Sequence, residues 1–345
     1  MFPYFILLFF VLILTFFGAQ TKKNIFLVFI SIILTFFSGF RYNVGIDYPN
    51  YVKIFQAEIG YGTRELGFVY LLDFIRFIDG TYQLMFLILA IIMNVLVYKI
   101  IKYYSPNVWI SCLIYLCVAP FYFSTFNGTR QYIAIAIFLY SLRFIDQKKL
   151  KKYVLLNVIG VFMFHGSLLL IAPLFPLIRR ELSLKLKFVI AGIVVLLNSI
   201  IELLLSYTPY FYYFNIEKEV GVSAITYLLV ILLFPIIIFD KKLNKFKHKT
   251  VLINLIFFCF LTLLLVLIQK KDILVQMFMR VNSYFFFIIV VFIPSVVESL
   301  KNKGNRLVIY ASLMVCLIAY FITAIVFNGE TSALVPYKMN FKLFN

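Results

Sequence analysis

A chain of 345 residues that is 64% hydrophobic and only 13% charged carries more apolar surface than a water-soluble core can hide, which excludes a soluble globular domain. Its formal net charge of +18 invites a nucleic-acid reading. Yet Lys and Arg fall in short clusters between apolar runs, with no basic groove of interleaved aromatics, so the pattern is that of cytoplasmic loops and speaks against nucleic acid as a partner.

Apolar runs of roughly 17 to 25 residues recur along nearly the whole chain, the length a helix needs to cross the hydrocarbon. Open strands are excluded there because their backbone groups would go unpaired. The fold expected is therefore an all-α polytopic integral membrane protein, one transmembrane domain over 1–345. It would comprise about ten transmembrane helices, a broken re-entrant helical hairpin and an interfacial amphipathic helix.

In chain order, helices are predicted near 2–19 and 25–40, followed by an outer loop over 41–81 with the interfacial helix, then 82–101, 108–126 and 129–146. The hairpin occupies 153–178, and further helices lie near 185–206, 222–239, 250–268, 276–298 and 306–327. No basic residue precedes the first apolar run, whereas Lys22 and Lys23 follow it. That order is the reverse of a cleavable signal peptide and makes the run a first span with its N-terminus outside.

The stretch 153–178 is long enough to cross once, but it carries His165-Gly166 in its middle and Pro173 and Pro176 near its end. If it enters from the cytoplasm and returns, the larger share of the 32 Lys and Arg residues falls inside. A single crossing sends the clusters at 179–187, 241–249 and 301–306 outside and loses that bias. The returning hairpin satisfies the positive-inside rule, with both termini outside. Non-helical backbone at that depth needs a protein-lined or watery cavity around the tip.

Most of the 42 Phe and 24 Tyr read as lipid-facing filler. Cys112, Cys117, Cys259 and Cys316 lie in apolar segments without a C-x-x-C pair and read as small buried hydrophobes.

The polar candidates gather on the outer side. Asp73 and Arg76, three residues apart, share one face of the short helix that lies in the interface. In STFNGTRQY, Asn127-Gly128 supplies a turn, Thr129 is the expected N-cap, and Arg130 sits in the first helical turn. Free N–H groups, the helix dipole and a guanidinium fork together suit a phosphate. Arg280 lies about one turn inside its span, where an arginine needs a partner or must snorkel to the interface. His165 at the hairpin tip is expected to approach Arg41, Asp47, Arg130 and Arg280, although a lone histidine in an apolar run is often structural.

Four fragments in order, SGFRYNVGIDYPNY (38–51), FNGTRQYIAIAIFLYSL (126–142), FHGSLLL (164–170) and MRVNSYF (279–285), resemble the EpsG family of Wzy-type exopolysaccharide and capsule polymerases. The matching positions are Arg41, Gly45, Asp47, Tyr48, Arg130, Gln131, His165, Arg280 and Tyr284. The resemblance implies polymerisation of oligosaccharide repeat units linked to undecaprenyl pyrophosphate, at the outer face of the bacterial plasma membrane. It further implies flippase and chain-length-regulator proteins as partners. The residues present require no metal, since carboxylates are few on the outer side and Asp47 lacks a D-x-D partner, and no cofactor is expected.

On that reading Arg130 and Arg280 offset the charge growing on the pyrophosphate leaving group, and Asp47 or His165 takes the acceptor's proton. Arg41, Tyr48, Gln131 and Tyr284 bind substrate, with Arg41 orienting the lipid phosphate or the loop. Asp47 has a structural alternative, bonding backbone in the Gly45–Pro49 turn, and Tyr48 and Tyr284 have aromatic packing. The aromatic loop at 207–219 is the expected sugar-contacting surface. A lipid-linked oligosaccharide flippase is the competing class, though no internal repeat is visible. A glycan ligase or other polyprenyl-donor glycosyltransferase would use the same site chemistry.

Overall fold

The structure, a computed structural model, describes residues 1–57, 65–206, 224–243, 246–269 and 272–344. Among these the chain is helical without a β-strand, and the extended pairing is limited to isolated bridges from Arg41 to Met339 and from Gly80 to Phe344. It divides into two compact units, Met1–Ala172 with Val290–Asn345, and Pro173–Ile289.

In the first unit, α1 (Phe2–Thr21), α2 (Ile25–Gly39), α3 (Tyr48–Phe55), α4 (Leu66–Phe77), α5 (Tyr82–Tyr104) and α6 (Val108–Cys117) lead into α7 (Thr129–Asp146), α8 (Leu150–Met163) and the short α9 (Leu168–Ile171). In this unit α2 packs on α5, α5 on α7, α7 on α8, and α1 on α2 and α6. Buried polar side chains join these helices. Asn94 donates to Ala90 O at 2.9 Å and to Ser38 Oγ at 3.3 Å, and Asn157 donates to Ser141 Oγ at 2.9 Å. Such bonds hold helices together where water cannot compete.

The second unit contains α10 (Phe175–Ile178), α11 (Leu184–Ser206), α12 (Ala224–Ile238), α13 (Lys249–Ile268) and α14 (Asp272–Phe286). Of the apolar window of α13, 83% is buried, so this helix is the unit's core rather than its lipid face. Asn254 on α13 donates to the carbonyls of Leu177, Ile178 and Arg180 at 2.6 to 3.0 Å, which satisfies the end of α10. Asn282 on α14 donates to Thr262 Oγ1 at 2.7 Å on α13.

The chain returns to the first unit with α15 (Ile289–Glu298) and α16 (Lys303–Asn328), the latter packed on α6. Only 17% of the apolar window of α16 is buried, which marks a peripheral helix. Cys316 on it is exposed, unlike Cys112, Cys117 and Cys259, and so corrects the expectation that all four are buried.

The helices fall close to the sequence expectations, but fewer than ten are long and apolar enough to span a membrane by themselves. Four among the described residues qualify, α1, α5, α13 and α16, or five if the broken pair at 274–286 and 289–298 counts as one span. Helix α2 has 15 residues, a rise of about 22 Å. Helix α7 has 18 residues but carries Arg130, Arg143 and Asp146.

Two predicted spans are interrupted. The run 108–126 stops as an α-helix at Cys117, because Pro120 lacks an N–H and disfavours helical backbone before it. Val118 is already extended, and a 3-10 turn covers Phe123–Phe126. The run 276–298 starts earlier, at Asp272, and breaks between Phe286 and Ile289. Pro294 inside α15 cannot bond the carbonyl of Val290, and the Ser111 hydroxyl donates to that oxygen instead, at 2.8 Å. The hairpin is broken as expected, with α8 ending at Met163 and α9 starting at Leu168.

The first unit is bipolar. Connections at Lys22–Lys23, after Tyr104, at Gln147–Lys149 and before Lys303 stand at one end with the Lys and Arg clusters. At the other end stand the start of α1, the 40–57 loop, the starts of α5 and α7, the hairpin tip and the C-terminal tail. That tail was not foreseen as structural. It pairs Tyr42 N with Lys338 O and Asn340 N with Phe40 O, both at 2.9 Å, and Thr81 N with Leu343 O at 2.9 Å.

Candidate functional site

The site grows from the loop that leaves α2. Arg41 is 2% exposed. Its Nη1 donates to Ser38 O at 2.7 Å and its Nη2 to Phe126 O at 3.2 Å, and its Cζ lies 4.7 Å from the ring centroids of both Phe86 and Phe126. Burial pushes the guanidinium down to about 10, still well above neutrality, so it is charged at neutral pH. Arg41 thus spends its charge on rings and carbonyls of its own fold. Of the two roles expected for it, orienting the loop is the one this geometry serves.

Buried Gln83 completes the hold by donating to Gly39 O at 2.6 Å and Arg41 O at 3.2 Å. Thr81 caps α5, accepting from Gln83 N, and its hydroxyl donates to Lys342 O at 2.6 Å. Neither residue was singled out from sequence.

The loop then seats on the Asn127 turn. Ile46 N donates to Asn127 Oδ1 at 2.7 Å, and Gly45 N donates to Ala333 O at 2.7 Å. Gly45 has φ +99°, and a Cβ there would stand 2.9 Å from Asn127 Oδ1 and 3.1 Å from Phe126 O. Gly45→Ala is therefore expected to destabilise the protein by about 1 to 3 kcal/mol. A melting curve in detergent indistinguishable from the parent's would contradict this.

Asp47 is half-buried at the N-cap of α3, and its carboxylate does not cap that helix. The turn there is closed by backbone, Tyr48 N to Gly45 O at 3.1 Å. Among the described residues, the structural alternative for Asp47 therefore has no side-chain bond behind it. Tyr48 is buried, its ring stacked on Phe86 at 4.5 Å, and burial pushes its phenol up. Packing, rather than substrate contact, accounts for Tyr48.

Arg130 lies in the first turn of α7. The N-cap is Gly128 rather than Thr129, whose hydroxyl donates back to Thr125 O at 2.8 Å because the residue is already helical. Arg130 N donates to Tyr51 Oη at 3.3 Å, and the guanidinium lies over the Phe68 ring at 5.0 Å. Its Nη1 is ion-paired with Glu65 Oε2, both side chains being less than one-fifth exposed. Gln131 follows it, half-buried.

Glu65 is the residue that sequence reasoning missed. It is the N-cap of α4, yet its carboxylate leaves its own helix uncapped. One oxygen takes Arg130, and the other accepts Gly166 N at 2.9 Å from the hairpin tip. Its only sequence signal was an acidic residue just ahead of an amphipathic helix. That helix forms with the expected amphipathic pattern. Gly67, Phe68, Leu72 and Ile75 are buried, Phe74 and Phe77 are exposed, and Asp73 pairs with Arg76. Arg76 also donates to Phe55 O at 2.8 Å, closing α3.

His165 is half-buried in a tight turn. Its Nδ1 accepts from Ser167 N at 3.2 Å and lies 2.6 Å from Ser167 Oγ. An N–H can only donate, so the neutral ring carries its proton on Nε2 and offers a donor rather than a base.

Arg280 and Tyr284 belong to the second unit. Tyr284 is fully buried and Arg280 is exposed, both on α14. Because α14 begins at Asp272, Arg280 stands roughly two turns inside it rather than one. The aromatic loop at 207–219 lies outside the described residues. Among the described residues, no three His, Cys, Asp or Glu side chains gather as a metal site requires.

The first unit thus brings Arg41, Asp47, Arg130 and the 165–166 tip to one end, with Glu65 bridging the second and third fragments. A family model described as the EpsG family matches residues 24–339, a span that takes in all of these residues. No curated protein and no solved structure matches the chain.

Proposed function

The chain belongs to the EpsG family, a Wzy-type polymerase family, and from that membership we propose that it polymerises oligosaccharide repeat units carried on undecaprenyl pyrophosphate into capsular or exopolysaccharide. The observation that carries the proposal is the knot at Arg130. An arginine in the first turn of a helix sits within reach of an aromatic shelf, a histidine-bearing re-entrant tip and a loop locked by a second arginine.

The basic clusters at the opposite end of the first unit support, by the positive-inside rule, a reading in which that end is cytoplasmic and the knot faces the exterior. The substrate would be a lipid-linked pyrophosphate at the outer leaflet.

Arg130 offsets charge on the departing pyrophosphate, where a planar fork can bind two phosphate oxygens. His165 donates through Nε2. Arg41 holds the Gly45–Tyr48 loop on the Asn127 turn, and Asp47 presents an uncapped carboxylate from that loop. The roles of Arg280 and Tyr284, on the second unit, rest on the family resemblance alone. Flippase and chain-length-regulator proteins are the expected partners.

Purified protein given lipid-linked repeat units in liposomes is expected to produce a ladder of products. A deletion strain is expected to accumulate single lipid-linked units on the outer side. Accumulation inside the cell would instead point to export, and a single transfer to another acceptor would point to a ligase.

A further inference from the structure

Resting on the proposed function, we propose that Glu65 is a catalytic base held in reserve. Its carboxylate occupies the phosphate seat of Arg130, and the donor's pyrophosphate displaces it into a position to deprotonate the acceptor.

The geometry supplies both halves. Glu65 holds an N-cap position, where a short polar side chain ordinarily bonds its own helix. Instead one oxygen is ion-paired with Arg130 and the other accepts Gly166 N at 2.9 Å. The residues joined are 65 and 101 positions apart in the chain, so the contacts are not incidental to a local turn. Arg130 is backed by Phe68, with its own N–H committed to Tyr51. Its guanidinium therefore stays in place while its anionic partner changes.

A pyrophosphate carries more charge than a carboxylate and can take the fork in bidentate fashion, so it outcompetes Glu65 there. The displaced carboxylate stays beside the leaving group and the hairpin tip, because α4 and the Gly166 N–H still hold it. Among the described residues, Arg130 is ion-paired with Glu65 and not with Asp47.

In the transfer step Glu65 accepts the proton of the acceptor hydroxyl. The hydroxyl oxygen forms a bond to the anomeric carbon of the growing chain. The anomeric carbon–oxygen bond to pyrophosphate breaks, and its electron pair leaves with undecaprenyl pyrophosphate. Glu65 then returns its proton to solvent and recaptures Arg130 once the lipid pyrophosphate departs.

Glu65→Gln keeps the shape and the acceptor for Gly166 N while removing both the competing charge and the base. Three quantities are measured on purified protein in liposomes, namely binding of undecaprenyl pyrophosphate, binding of inorganic pyrophosphate, and polymerisation rate against pH. The variant is expected to bind both pyrophosphates about fivefold more tightly while polymerising roughly 100-fold or more slowly. Glu65→Asp should recover part of the rate.

A merely structural Glu65 would lower binding and rate together, and that result overturns the inference. So does an E65Q protein that polymerises at the parent rate while Asp47→Asn does not. Parent protein that polymerises normally beside either result leaves the polymerase reading standing. Parent protein that neither binds undecaprenyl pyrophosphate nor extends lipid-linked units overturns both.

Discussion

Arg130→Ala is expected to cut polymer formation by roughly 100- to 1,000-fold, the loss typical when one preorganised charge is withdrawn from a developing anion. The arginine is placed by the fold before any ligand arrives. Its backbone is fixed at the start of α7 by the Asn127-Gly128 turn, and its guanidinium lies on Phe68. Removing it takes away the phosphate fork and also leaves Glu65 half-buried without its cation. The two effects separate with Arg130→Lys. A lysine keeps the charge and so spares Glu65, but as a point donor it cannot grip two phosphate oxygens. The lysine variant is therefore expected to fold as the parent does, to accumulate single lipid-linked repeats, and to make short polymer at a rate between those of alanine and arginine. Lipid-linked intermediates and polymer length at matched expression decide the matter. Long polymer from Arg130→Ala would remove this residue from the chemistry.

Arg41→Ala is the change expected to cost most stability, about 3 kcal/mol or more. The side chain is buried between Phe86 and Phe126 and satisfies the carbonyls of Ser38 and Phe126. Truncation would leave a cavity between two rings and strand both carbonyls where water does not reach. Everything downstream depends on this anchor. The Gly45 turn rests on Asn127, the C-terminal tail rests on Phe40 and Tyr42, and the Asn127 turn sets the start of α7. Arg41→Lys should recover only a part, since an ammonium lacks the flat fork that fits between stacked rings. The measurement is thermal unfolding of purified protein in detergent. A midpoint unchanged in Arg41→Ala would show that the clamp is not structural. A variant that is stable yet inactive would return Arg41 to a direct role in binding substrate.

Several features were legible before any coordinates because they depend on chemistry close along the chain. The apolar runs marked the helices to within a few residues, since crossing hydrocarbon forces backbone pairing within each segment. The break at His165-Gly166 and the amphipathic helix with its Asp73–Arg76 pair read from local composition. The fragments around Arg41, Arg130 and His165 pointed to the family, and the family match covers them. What failed locally failed for identifiable reasons. Pro120 ended a helix that hydrophobicity alone carried to 126, and Thr129 already lies inside its helix instead of capping it.

By itself the sequence determined that this chain lives in a bilayer as helices, where its charges cluster, and which family it joins. Only the tertiary structure decided which of those charges do what. Arg41 looked as available to a phosphate as Arg130, yet burial between Phe86 and Phe126 makes it an anchor. Glu65 carried no signal beyond its place ahead of an amphipathic helix, yet it is the carboxylate that meets both Arg130 and Gly166. Nothing in the tail after Asn328 pointed to a partner, yet it straps the loop that carries Arg41. Hydrophobicity and helix length act through neighbours in the chain, so they can be read in one dimension. A charge is free or committed according to partners scores of residues away, and that becomes known only when packing brings them within bonding distance.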